Sequence, residues 1–197
     1  TGTNNVALGA NALDANTTAS NNTAIGHGVL TSNTTATENT AVGRASMTNT
    51  TTGGYNVAVG SGTLYTNVTG ANNVAIGRDA LLMSTASSNV AVGYHSLTAN
   101  TTGQQNVALG ANSADALTTA SSVVAIGYNA LGATTTGTDN TAVGASAMGL
   151  ATTGQANTAV GRLALYNNTT GANNIAVGKD ALKDNTTGDA NVSVGMD

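Results

Sequence analysis

The side chains able to do chemistry are few, and their spacing matters more than their number. His27 and His95 are the only imidazoles, the group that titrates near neutral pH and most often binds metals. Each lies one or two residues after a glycine, in Gly26-His27 and Gly93-Tyr94-His95, with no carboxylate at the matching place in the other segment. The expectation is a solvated turn histidine in both cases. Asp180 and Asp184 would share a face on a helix, but the surrounding pattern is not helical, so two independent turn carboxylates are expected. Cysteine is absent, which removes disulfides, thiolate metal sites and a cysteine nucleophile. Neither a Gly/Asp calcium repeat nor a phosphate loop closed by Lys and Ser or Thr is present. The chain therefore reads as non-enzymatic, with no catalytic, cofactor or metal site.

Two periodic features remain that could contact a ligand. The residue after each recurrent glycine is the most variable in chemistry, and at seven copies it is large and polar: His27, Arg44, Arg78, Tyr94, Tyr128, Arg162 and Lys179. In a stacked repeat these form one edge, a candidate ligand-facing strip in which Arg and Tyr are the favoured anchors. The bland alternative is an exposed edge that tolerates any soluble residue. Threonine recurs as Thr18, Thr35, Thr52, Thr69, Thr85, Thr102, Thr119, Thr136, Thr153, Thr170 and Thr187, an unbroken file of the kind an ice-binding solenoid would need. Threonines are usually adjacent here, so in a strand two neighbours would face opposite ways. Hydroxyls that close a corner by hydrogen bonding are the more economical reading. Sequons such as Asn16-Thr17-Thr18 follow from the repeat itself and carry little weight for glycosylation.

All of these residues are placed by one repeated stretch, Asn73-Val74-Ala75-Ile76-Gly77 in its clearest form. Its glycine recurs at Gly9, Gly26, Gly43, Gly60, Gly77, Gly93, Gly110, Gly127, Gly144, Gly161, Gly178 and Gly195, every 17 residues but for one step of 16. A fixed short period marks a solenoid, in which each unit contacts mainly its neighbours. Residues 1–197 are accordingly read as a single array, expected to be a piece of a longer fibrous protein. Charged residues are 7% of the chain and the net charge is -4, which leaves no electrostatic footprint for nucleic acid. There is no apolar run long enough for direct membrane insertion by this segment.

Within each copy a branched apolar residue precedes the glycine, alanine lies two before it, and Val, Thr or Ile three before. Asn stands four before, except at Val123. Alternation of this type ended by glycine predicts a short β-strand. A second apolar position, four residues after the glycine (Leu13, Leu30, Leu64, Leu81), predicts a second strand or bend. An Asn/Thr-rich return follows, as in Asn168-Thr169-Thr170-Gly171, where Asn and Gly are expected to supply positive φ. The 16-residue step falls in the return at 81–85, where a surface turn absorbs a deletion. Proline is absent, as suits a chain whose backbone N–H groups bond to adjacent coils. The fold class expected is all-β, a parallel β-solenoid or β-roll of about eleven coils. The alanine file has nothing in its own coil to cover it. We therefore expect Ala24, Ala41, Ala58, Ala75, Ala91, Ala108, Ala125, Ala142, Ala159 and Ala176 to form a flat seam for side-by-side association. The alternative is a polar return folded back over the stripe.

Asn-Val-Ala-Ile-Gly, followed by a small and then an apolar residue, resembles the head repeats of YadA-like trimeric autotransporter adhesins across the whole chain. The resemblance implies a left-handed parallel β-roll, a homotrimer, valine or isoleucine filling the roll and alanine facing the trimer axis. The repeats here are longer by an Asn-Thr-Thr-Gly return than is usual in that family, and similar longer repeats occur in phage and phage-like tail fibres. The function expected is structural and adhesive: a cell-surface or virion fibre segment, extracellular, presenting a surface to a host ligand. Tail-fibre shaft and ice-binding solenoid are the alternatives.

Overall fold

A computed structural model describes residues 2–196. Twelve short strands pair in parallel in chain order: β1 (Val6–Leu8), β2 (Thr23–Ile25), β3 (Thr40–Val42), β4 (Val57–Val59), β5 (Val74–Ile76), β6 (Val90–Val92), β7 (Val107–Leu109), β8 (Val124–Ile126), β9 (Thr141–Val143), β10 (Thr158–Val160), β11 (Ile175–Val177) and β12 (Val192–Val194). Each closes one coil of a β-solenoid of about eleven turns, with no helix among the described residues. Register follows from identity of position: Ala58 stands over Ala75 and Val57 over Val74. At roughly 4.8 Å per coil, eleven intervals make a rod about 50 Å long.

The backbone bonds mainly between coils, with a short i to i−3 bond closing the bend inside each coil, as from Asn67 N–H to the Leu64 carbonyl at 3.2 Å. Val74 N–H donates to the Asn89 carbonyl at 2.9 Å, and Gly77 N–H to the Val59 carbonyl at 2.8 Å. Gly77 has φ +120° and its counterparts lie between +120° and +145°, a region open in practice only to glycine. The position four residues after it is a bend, not a strand. Leu30, Met47, Leu64, Leu81 and Leu97 sit there with φ of 48–51°, the left-handed conformation that long side chains rarely adopt. Each is fully buried. The inward burial of a large apolar side chain outweighs the local backbone penalty in these coils; Ala114, with φ 49°, keeps the same bend without one.

The facing of the strands differs from the sequence expectation. The alanines at strand centres are the buried residues: Ala24, Ala41, Ala58, Ala75, Ala91, Ala108, Ala125, Ala142, Ala159 and Ala176 are all inaccessible. They cannot form a seam. They share one buried cluster with Leu30, Met47, Leu64, Leu81, Leu97 and Leu131 from the bends. A coil this thin has room for one large side chain, and the bend supplies it, so only a methyl group fits on the strand side. The branched residues that flank each alanine consequently point outward, with Val57 and Val59 both 37% exposed and Ile76 39%.

The positive φ expected in the return also lies elsewhere. Gly53, Gly70, Gly103 and Gly154 do not adopt it, whereas the residue two positions beyond each, Tyr55, Asn72, Gln105 and Ala156, has φ of 54–60°. Glycine serves the return by lacking a Cβ that would meet the next coil's carbonyl.

The other half of the interior is polar. Asn22, Asn39, Asn56, Asn73, Asn89, Asn106, Asn140, Asn157 and Asn174 are at most 1% exposed. Each Oδ1 accepts the backbone N–H one coil on, as in Asn73 N–H to Asn56 Oδ1 at 3.0 Å. The Nδ2 donates to a return carbonyl, Asn73 to Ala86 at 2.9 Å and Asn56 to Gly70 at 3.0 Å. These amides thus complete the hydrogen bonding of corners that strand pairing leaves open.

One coil departs from the pattern in a coordinated way. It carries Ala114 where its neighbours have Leu97 and Leu131, Leu117 where the previous coil has Asn100, and Val123 in the asparagine file. All three are buried in the apolar cluster, so the volume missing at Ala114 is made up by Leu117 and Val123. The cost falls on the polar ladder. Val123 N–H still bonds Asn106 Oδ1 at 3.0 Å, but no side-chain oxygen at 123 receives the Asn140 N–H, and Asn100 Oδ1 is buried without a partner. Val123→Asn restores an acceptor for Asn140 and a donor for the Gly137 carbonyl. At roughly 0.5–1.5 kcal/mol per hydrogen bond, less the lost apolar burial, it is expected to stabilise the chain by about 1 kcal/mol. The check is thermal unfolding followed by circular dichroism, with a rise in midpoint of about 2–4 °C.

Candidate functional site

The corner glycine ends the strand, and the residue after it opens an edge of each coil. His27, Arg44, Arg78, Tyr94, Tyr128, Arg162 and Lys179 are all exposed there. They do not form a uniform strip, because the side chains between them vary in bulk.

The richest part of the edge lies across the coils after β5 and β6. Arg78 Nε donates to Asp79 Oδ2 at 3.0 Å, and His95 Nε2 lies 3.4 Å from that same oxygen. Tyr94 stacks on His95 with ring centroids 4.0 Å apart and 17° between planes, and the Arg78 guanidinium sits 5.6 Å from the Tyr94 ring centre. His95 was expected to be a solvated histidine without a carboxylate. Its partner is supplied by the preceding coil, 16 residues earlier, in the one place where the period is short. That signal was available: residues one period apart are stacked neighbours, so acid and base should be sought along the period and not within one copy.

Two carboxyls depart from ordinary acidity. Burial pushes Asp115 up, opposed by its own backbone N–H, that of Ala116 and the His95 charge. Asp180 is held down, first by its hydrogen bond from Lys179, whose Nζ is 2.8 Å from Oδ2. Asp184 accepts instead from Asn167 Nδ2 at 3.0 Å, so the two carboxylates have separate partners. No group of three or more potential metal-ligating side chains occurs among the described residues.

Beside this cluster is an open groove of about 540 Å³. Its middle coil contributes Ser61-Gly62, the smallest pair anywhere on the edge, while Arg44 and Asp79 stand on the coils to either side and Tyr65 and Met83 form its walls. Tyr65 and Met83 were not singled out in the sequence, since both lie in the variable positions beyond the buried leucines.

The threonine file occupies the opposite kind of corner. Thr18, Thr35, Thr52, Thr69, Thr85, Thr102, Thr119, Thr136, Thr153, Thr170 and Thr187 are all exposed. The hydroxyl that closes the corner belongs to the preceding threonine: Thr51 bonds the Val68 carbonyl at 3.3 Å and Thr101 the Thr118 carbonyl at 3.0 Å. Thr85, in the shortened return, makes that bond itself, to Thr101 at 3.1 Å.

No helix among the described residues is long and apolar enough to cross a membrane. Comparison with protein families, with curated proteins and with solved structures finds no match. The class defined by the coordinates is therefore the β-solenoid itself.

Proposed function

We propose that this chain is a non-enzymatic segment of an extracellular, trimeric adhesive fibre, in which three rods lie side by side and repeat the same edge along and around the shaft. The observation that carries the reading is the outward file of branched apolar residues. Val57, Val59, Ile76, Val160 and Ile175 are 37–42% exposed on one sheet face whose outward positions are otherwise Val, Ile, Leu or Thr, with no charge among them. Contiguous apolar surface of that extent normally belongs to an interface. The seam thus moves from the alanines, which are interior, to their neighbours. The likeness of Asn-Val-Ala-Ile-Gly to YadA-like head repeats supports a threefold assembly at a cell surface, and a phage-like tail-fibre shaft would use the same construction. Identical edges repeated at coil spacing add weak contacts into avidity.

Light scattering across a concentration series tests this reading. The expected result is a stable species near three times the 19.1 kDa chain mass. A folded monomer at all concentrations overturns it.

A second reading rests on the threonine file, whose eleven members are all exposed in single rank on one corner. An ice-binding surface of this kind would be a property of the rod whatever its assembly, and thermal hysteresis of the same sample reads it directly.

A further inference from the structure

We propose that the groove between Arg44 and Asp79 is a binding site for a carboxylate-bearing sugar, the terminal residue of an acidic glycan. The proposal deepens the adhesive reading by giving the fibre a ligand class, and it rests on that reading only for its biological setting, because the groove is built within one chain.

The argument begins with space. Gly62 has φ +71°, and a Cβ added there would run into Asp79 Oδ1. Glycine at 62 therefore keeps the floor of the groove open and lets the Asp79 carboxylate lean over it. Asp79 Oδ2 is occupied by Arg78 and His95. Oδ1 has no partner among the described residues, is not sealed from solvent, and lies over Gly62 where it faces the groove floor. On the far side Arg44 is exposed and forms no ion pair among the described residues, unlike Arg78. Between them stand the Tyr65 ring, 39% exposed, and Met83, 48% exposed.

These groups select a ligand by chemistry. A free guanidinium binds a carboxylate in a bidentate fork. A carboxylate two coils away, about 9.5 Å along the rod, accepts hydroxyl protons. An aromatic ring with an adaptable thioether takes an apolar ring face. A monoanion carrying hydroxyl donors and one apolar face meets all three requirements. A phosphate or polyanion meets only the first, and Asp79 together with the chain's net charge of -4 repels it. The groove volume lies within the roughly 300–1,000 Å³ typical of small-molecule sites.

The test uses the whole chain with methyl glycosides of glucuronic acid and N-acetylneuraminic acid, and methyl glucoside as the neutral control, followed by saturation-transfer NMR and calorimetry. The expected result is weak, saturable binding of an acidic sugar at least about tenfold tighter than the neutral one. Arg44→Ala removes that preference, Tyr65→Ala weakens every sugar, and Arg162→Ala, on the same edge but outside the groove, changes nothing. Equal affinity for acidic and neutral sugars, an equal loss in Arg162→Ala, or no saturation with any of them overturns the proposal. Both groove substitutions are at exposed side chains, and unchanged circular dichroism separates lost binding from lost fold. Mass measured on the same samples keeps the two readings apart: a trimer that binds no sugar overturns only the groove, and a monomer that binds acidic sugar overturns only the assembly.

Discussion

Gly110→Ala is expected to cost about 3 kcal/mol or more and to open the rod at that coil, whereas Gly154→Ala costs about 1 kcal/mol or less. The contrast follows from backbone conformation. Gly110 has φ +136°, outside the range of a residue with a side chain, and an added Cβ would also lie 2.7 Å from the Gly127 carbonyl carbon. Both penalties act on a corner stacked directly against the same corner of the next coil, so neither coil can move alone. Gly154 has an ordinary φ, and its Cβ would press on the Gly171 carbonyl. Ala19, Ala36, Ala86 and Ala120 occupy the equivalent place in other coils, so the return makes the required shift. Thermal and urea unfolding by circular dichroism give the midpoints. Hydrogen exchange localises the opening, which matters because stacked repeats need not unfold in one step. Equal losses for the two substitutions would show that the corner conformation is not what holds the coils in register.

Placing lysine in the outward file, as Val59→Lys with Ile76→Lys, is expected to convert the proposed trimer to single chains without unfolding them. The side chains are 37% and 39% exposed in one chain, so the isolated rod accommodates the charge at its surface. In a packed seam the same two charges on every chain meet like charges across the axis and lose water, at about 3 kcal/mol or more for each one left unpaired. Light scattering should fall from a threefold mass to 19.1 kDa, with the dichroism spectrum retained. A mass unaffected by the pair of lysines would place the interface elsewhere. Lysine at Ala58 or Ala75 answers a different question: both alanines are inaccessible, so that change is expected to unfold the coil and not merely to separate the chains.

The period, strand positions and turn at each glycine were legible in the sequence because each depends on residues close together in one coil. Alternation in Val74-Ala75-Ile76 required that alanine and its neighbours face opposite ways. Which of them faced inward depended on what crosses the coil from the far side, and that is the Leu81 type of residue, held in a left-handed bend that no local propensity favours. Once a large side chain fills the narrow interior, only alanine fits opposite it, and the apolar stripe moves to the outside. The asparagine before each strand was visible as a repeated letter, but its bonds to the next coil's backbone needed the stacking distance. His95 and Asp79 likewise became a pair only when a period of 16 residues brought two edges into contact. Local chemistry alone determined the coil of this protein. The choice of inside and outside, and the groove built across three coils, was made by volume and by stacking, which are properties of neighbours in space.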